Sequence, residues 1–503
     1  MESNRKNTVA TTKNVYDNFF EEKCECDLLI PDYYPSVDKI IQCSAIPVVK
    51  EKRMDGERLI LIGECRFNIV YKGDEGEIKS VSESVVFEES LAIKEQVSNP
   101  IIQVLLRSSG TSCRLINSRK IAVRNCISVA VKLKAMQLIE IIEEIETENV
   151  EALFTEKKVY SVLEQAADTT KIQGEIESRG EIQDILKVDG SVCIKDVKVL
   201  AGKAIIKGIL NLFVLFTTVE DPCRVESTST AIPFTQVMEV QYQGDNGSLD
   251  VSAYIHNIRV DVENDEEGKD RLISIVTSVL TEGVLYENIS RRLLVDVYSN
   301  MHPLDSQIDR VTLDEIIEKT ELTETLLHEI DMDSSDSEVI QIIINPIVKK
   351  VTGKDHSIAI EGILDLAIFM RDGDMYRSVD KSLGFTINKE LSIVTGSMRC
   401  EVKPDVLGIE WVNSDKVLKV KTDIAADLTV YSKETYEYIS DFYLDTDRVT
   451  TDNQCQPLVI YYGEKGERLW DIARKYASSV KKIKAINNLN CDILDDKKML
   501  LIS

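Results

Sequence analysis

A glycine-centred strand pattern occurs three times in this chain, and it limits the possible folds more than any other feature. The segments are Arg58 to Tyr71 around Gly63, Lys203 to Phe216 around Gly208, and Ser357 to Met370 around Gly362. After each glycine the residues alternate. Cys65, Phe67, Ile69 and Tyr71 align with Leu210, Leu212, Val214 and Phe216, and with Leu364, Leu366, Ile368 and Met370. A period of two marks a strand with one buried face. On the opposite face Arg66, Asn211 and Asp365 hold one equivalent polar position. An interior glycine weakens a strand unless it marks a bulge, a bend or a close backbone approach, so a bent or bulged strand is expected at all three. The glycines lie 145 and 154 residues apart, domain-sized periods far longer than those of solenoids.

Each copy is completed by a lead-in (Val37 to Cys43, Ile182 to Val188, Ser337 to Ile343) and by a later β-rich block (Arg119 to Val131, Asp270 to Leu280, Lys416 to Tyr431). With Gly/Asp turns such as Lys72 to Gly76 and Arg371 to Asp374, the pattern predicts compact antiparallel β domains, sandwich or barrel. Between copies two and three, Leu313, Ile316, Ile317, Leu326 and Leu327 have helical spacing, so Thr312 to His328 is read as a helix. Asp331 to Glu338 reads as an acidic connector and Asp445 to Gln456 as a polar link. The expected division is a polar N-terminal segment 1–26, β-rich repeats 27–178, 179–333 (ending in the helix) and 334–447, a linker 448–456 and a small module 457–503.

That module spells a βααβ order. Ile460 to Tyr462 is a short strand, Gly463 to Gly466 a turn, Leu469 to Tyr476 a helix, Ser478-Ser479 the start of a second helix through Ile486, and Met499 to Ile502 a closing strand. Tyr461, Gly466, Leu469, Trp470, Ile472, Ala473, Tyr476, Ile483, Asn487 and Leu500 follow in the order of a LysM module, which this tail resembles. The three β-rich copies, preceded by Leu29-Ile-Pro-Asp32, resemble the repeats of SipL-like, SPOCS-repeat spore coat morphogenetic proteins of endospore-forming clostridia. The resemblance implies a mostly β protein of three related antiparallel domains plus a LysM module, with no catalytic activity and no cofactor. It implies a mother-cell protein at the forespore surface that binds the coat-basement ATPase, stage IV sporulation protein A, through its LysM-bearing end.

Composition agrees with a non-enzymatic reading. A formal charge of −26 argues against nucleic acid. The charge is uneven: from Leu458 onward nine basic residues face six acidic ones, a tail of +3 on a body of −29. Four scattered histidines and eleven cysteines without a CxxC pair supply no local metal set, and disulfides are not expected. No run approaches the ~18 apolar residues of a membrane span, and polar Met1 to Asn18 has no signal-like apolar core. P-loop, dinucleotide-fold, zincin and nucleophile-elbow motifs are missing.

Within the module, Leu469, Ile472, Ala473 and Tyr476 form the core stripe of the first helix. Trp470 lies off that stripe with Arg474 one turn later, an exposed cation–π pair and a candidate partner-binding surface together with Arg468, Lys481, Lys482 and Lys484. The alternative is a glycan groove between the turn Gly466-Glu467-Arg468 and the loop Asp495-Asp496-Lys497. Both depart from the LysM pattern of Gly-Asp-Thr and Pro-Gly-Gln, which favours protein over N-acetylglucosamine as the ligand.

Overall fold

The structure is a computed structural model that describes residues 5–244, 246–332, 337–354, 356–391, 398–414, 416–448 and 458–502. Unit 1 is β1 (Arg5–Leu29), β2 (Val37–Asp55), β3 (Arg58–Gly73), β4 (Ile78–Ala92), β5 (Pro100–Asn117) and β6 (Lys120–Glu144). Unit 2 is β7 (Val150–Glu177), β8 (Ile182–Leu200), β9 (Lys203–Thr218), β10 (Glu226–Glu239), β11 (Gly247–Asn264) and β12 (Asp270–Ser299). Unit 3 is β13 (Leu304–Asp331), β14 (Ser337–Lys354), β15 (Ser357–Asp372), β16 (Met375–Glu390), β17 (Met398–Ser414) and β18 (Val417–Leu444). Each unit has two three-stranded antiparallel sheets, β1-β6-β5 with β2-β3-β4 in unit 1 and the same order in the others. Their inner faces share one core. In unit 1, Leu61, Phe67, Ile69 and Tyr71 of β3 pack with Ile121, Ile127, Val129 and Leu133 of β6, which makes the unit a sandwich.

The repeat glycines lie in these central strands, and here the expectation needs correction. Gly63, Gly208 and Gly362 sit in regular ladder positions. The bulges fall on the partner strands, where the register skips Lys50, Lys195 and Lys349. What requires glycine is an aromatic ring on the other neighbour: Phe87, Phe234 and Phe385 pair directly opposite. A Cβ would meet ring carbon Cε1 at 2.6, 2.7 and 2.6 Å respectively, well inside contact distance. The ring shields the strand where the side chain is missing.

Three further corrections follow from pairing that local sequence does not reveal. The polar segment 1–26 is mostly β1, an edge strand paired along its length with β6, from Arg5↔Glu144 to Leu29↔Lys120. Each unit therefore begins with a long strand that closes against its last one, and the units meet near 145–149 and 300–303 rather than at 178 and 333. The expected helix Thr312 to His328 is part of β13, paired with β18. A bulge skips Ile317, so the inward parity passes from Val311 and Leu313 to Leu322 and Ile330. That one-residue slip imitates helical spacing. Positions 333–336 of the expected connector and 449–456 of the linker lie outside the described residues.

The three units close into a ring: β4 lies against β8, β10 against β14 and β16 against β2. Several cores shared by all three units hold it, among them one along the central strands and one along the long strands. In one, Ile41, Leu186 and Ile340 meet Val70, Leu215 and Phe369. Ile41, Leu186 and Ile340 are the residues skipped by equivalent bulges in β2, β8 and β14, so each unit uses a bulge to aim one apolar side chain at the centre. In the other, the long strands bring together Val9, Ile141, Val159, Leu293, Leu313 and Tyr438. Where the units meet around Tyr160, Tyr286 and Tyr431 there is a small polar cavity. Glu401 of unit 3 beside it is half-buried among Lys132 and Lys134 of unit 1 and Arg399.

Candidate functional site

The C-terminal module is β19 (Val459–Gly463), α1 (Leu469–Lys475), α2 (Val480–Asn487) and β20 (Lys498–Ile502). Leu469, Ile472, Ala473, Ile483, Leu494, Leu500 and Ile502 form its core. Ser479 caps α2, accepting from the Lys482 N–H at 3.1 Å, and Asn488 ends it in a left-handed conformation. Asn487 ties the helix to the sheet. Its amide donates to the carbonyls of Ile483 (2.8 Å) and Leu501 (2.7 Å), and its Oδ1 accepts from the Leu501 N–H at 2.7 Å.

The altered first turn is stabilised in its own way. Arg468, at the N-cap of α1, offers no capping acceptor and instead forks Asp471 at 3.0 and 3.1 Å. Glu467 accepts from the Glu464 N–H at 2.9 Å and from the Tyr461 hydroxyl at 3.1 Å. Gly466 takes φ 90°, a conformation that favours glycine. The two walls of the expected groove are joined directly, Gly466 N–H to Leu494 O at 2.8 Å and Leu494 N–H to Glu467 O at 2.9 Å. Asp495 and Asp496 are exposed beyond this junction, and Lys497 bridges to Glu464 at 2.6 Å. The walls thus carry side-chain charge and mutual backbone bonds.

The partner-surface residues divide into two groups. Arg468 pairs with Asp471, and Lys484 with Asp492 at 2.7 Å, both within the module. Trp470 and Arg474 converge on unit 2, which corrects the expectation of an exposed cation–π pair. The Trp470 indole N–H donates to Asp296 Oδ2 at 2.8 Å, Arg474 pairs with the same oxygen at 2.8 Å, and the indole meets the Tyr298 ring edge-on at 5.0 Å. Trp470 is only 8% exposed. The Tyr298 hydroxyl donates to Ser478 O at 2.8 Å, and burial, then Glu151 and Asp296, raise its pKa. Lys481 and Lys482 stand near Glu151, whose carboxyl burial pushes up against their pull. An acid and a tyrosine two residues apart on β12 therefore hold the module, a role sequence could not single out among 86 acidic residues.

A second surface was missed although its signal is plain alternation. In β19 and β20 the inner residues Tyr461 and Leu500 pair with each other, while the outer pairs are Ile460↔Leu501 and Tyr462↔Met499. Ile460, Tyr462 and Met499 are 55%, 65% and 51% exposed, an apolar sheet face turned away from the helices.

The SipL, SPOCS domain family model matches residues 36–109 and 181–263, and the LysM domain model matches residues 464–502. The chain carries SipL-type SPOCS domains followed by a LysM domain. The SPOCS matches run from β2 into the first part of β5 in unit 1 and from β8 into β11 in unit 2, and unit 3 repeats their strand order. SPOCS and LysM domains together mark a sporulation-related protein. No curated protein and no solved structure matches the chain.

Proposed function

We propose that this chain is a non-catalytic spore coat morphogenetic scaffold, acting in the mother-cell cytoplasm at the forespore surface. It binds the coat-basement ATPase, stage IV sporulation protein A, through its LysM domain and supports coat localisation. The SPOCS and LysM matches support the sporulation setting. The observation that carries protein binding is the exposed face of Ile460, Tyr462 and Met499. Apolar and aromatic side chains in a patch suit a protein partner, whereas the groove walls present charge and carry a changed turn.

Pull-down of the ATPase by the intact chain and by a chain ending at Asp452 tests the assignment. The intact chain retains the ATPase and the truncated one loses it; equal retention refutes the role of the LysM domain. Tyr462→Ala is expected to weaken retention by ~2 kcal/mol, the scale of an interface anchor. Calorimetric titration of the intact chain with N-acetylglucosamine oligomers gives no heat on this reading, and saturable heat would favour a glycan-binding wall protein instead.

A further inference from the structure

The dock that holds the LysM domain is built from repeated structure, so its counterparts in the other units can be located. Ile142, Leu294 and Ile439 share one core, and each is followed by a bulged residue: Glu143, Val295 and Ser440 are skipped in their ladders. The next residues are Glu144, Asp296 and Asp441, all acidic. Two further on stand Glu146, Tyr298 and Tyr443. Across the ladder, Tyr298 pairs with Glu151 and Tyr443 with Asp305. Unit 3 thus repeats the acid, tyrosine and flanking acid of the unit 2 dock, while unit 1 lacks the tyrosine.

The two tyrosines differ in what covers them. Tyr298 is 8% exposed beneath the module, whereas Tyr443 is 68% exposed. Asp441 pairs with Lys6 at 3.1 Å in a pair whose side chains are 38% and 54% exposed, readily exchanged for another cation. The neighbouring positions vary: opposite the acid Gln307 stands where unit 2 has Leu153, which packs on the module, and between acid and tyrosine Phe442 stands where unit 2 has Val297. From these correspondences we propose that Asp441, Tyr443 and Asp305 form a second docking site, and that its occupant is the LysM domain of another copy of this chain. The charges fit, a +3 tail against an acidic body, and Trp470 with Arg474 already recognises this arrangement on unit 2. A chain's own module occupies its own unit 2, held there by the high effective concentration of a tethered ligand. Docking between copies therefore competes with docking within one copy, and weakening the internal dock favours assembly.

Sedimentation of the full chain tests this through opposite signs. Tyr298→Ala releases the module and raises self-association about tenfold or more over the unmodified chain, and Asp296→Ala does the same without altering the tyrosine. Adding Tyr443→Ala to either variant weakens association about thirtyfold, the loss of an aromatic hot spot. Tyr443 is exposed, so its removal leaves the fold intact, which circular dichroism checks. The proposal is overturned if both release variants sediment as the unmodified chain does, or if the double variants associate as strongly as the single ones. A site on unit 3 that serves a different partner gives the first of these results.

Discussion

Gly63→Ala places a methyl group where the Phe87 ring now lies, 2.6 and 2.8 Å from Cε1 and Cε2. Ordinary carbon contacts are about 3.5–4.0 Å and the ring's Cζ lies nearer still, so the ring must retreat by more than ~1 Å inside a sandwich where Phe87 is 7% exposed. Overpacking of this kind costs ~1–3 kcal/mol. Alanine in an extended strand recovers ~0.5–1 kcal/mol of the entropy glycine loses on folding, which leaves a net loss of about 0.5–2 kcal/mol. The double variant Gly63→Ala with Phe87→Ala separates the two effects. Phe87→Ala alone costs ~3–5 kcal/mol, and once the ring is gone the added methyl becomes neutral or slightly stabilising. Urea unfolding of the four chains gives the coupling directly, with an expected interaction of ~1–3 kcal/mol. Gly362→Ala is a built-in contrast, because its methyl also meets the backbone oxygen of Ile347 at 2.6 Å, and removing Phe385 leaves that clash in place. Equal unfolding midpoints for Gly63→Ala and the unmodified chain would refute the role assigned to the ring.

Two other outcomes can be measured. Burial alone would raise the Glu401 carboxyl, but Lys134, Lys132 and Arg399 hold it at about 2. Its folded pKa is depressed, so its stabilisation, on the order of 3 kcal/mol, is complete above about 4.5 and is lost as pH falls toward 2. Acid unfolding of Glu401→Gln should be flatter through that window than that of the unmodified chain. Asn487→Ala removes three hydrogen bonds that join α2 to β20 and should cost the LysM domain ~2–3 kcal/mol, seen as faster amide exchange in residues 458–502 with the three units unchanged.

What could be read from the sequence is what short-range periodicity encodes. The central strands β3, β9 and β15 each bury one face, so alternation after Gly63, Gly208 and Gly362 revealed them. The LysM domain is closed by contacts within 45 described residues, and its elements fall within a residue or two of expectation. The first strand of each unit was hidden for another reason. β1 is a sheet edge rich in polar residues, and its partner β6 lies more than ninety residues downstream at the nearest pairing, Leu29↔Lys120. In β13 the bulge at Ile317 broke the period on which the reading depended. Trp470 lies off the core stripe of α1, which led to the expectation of an exposed residue, but its partners Asp296 and Tyr298 precede it by more than 170 residues, so its burial against unit 2 was not legible.

The pairing of first with last strand in every unit governs what a ribosome must do to make this protein. β1 leaves the tunnel early, yet β6 begins only at Lys120, so at ~5–20 residues per second the 25-residue β1 waits several seconds or more with both edges unpaired. The same delay recurs for β7 and β13, and the ring closes only when β16 of the third unit returns to β2 of the first. Nascent chains held in such long-range debt of contacts fold slowly. The lysines and glutamates that punctuate β1 are of the residue types that keep an unpaired strand from pairing with its copy on a neighbouring nascent chain.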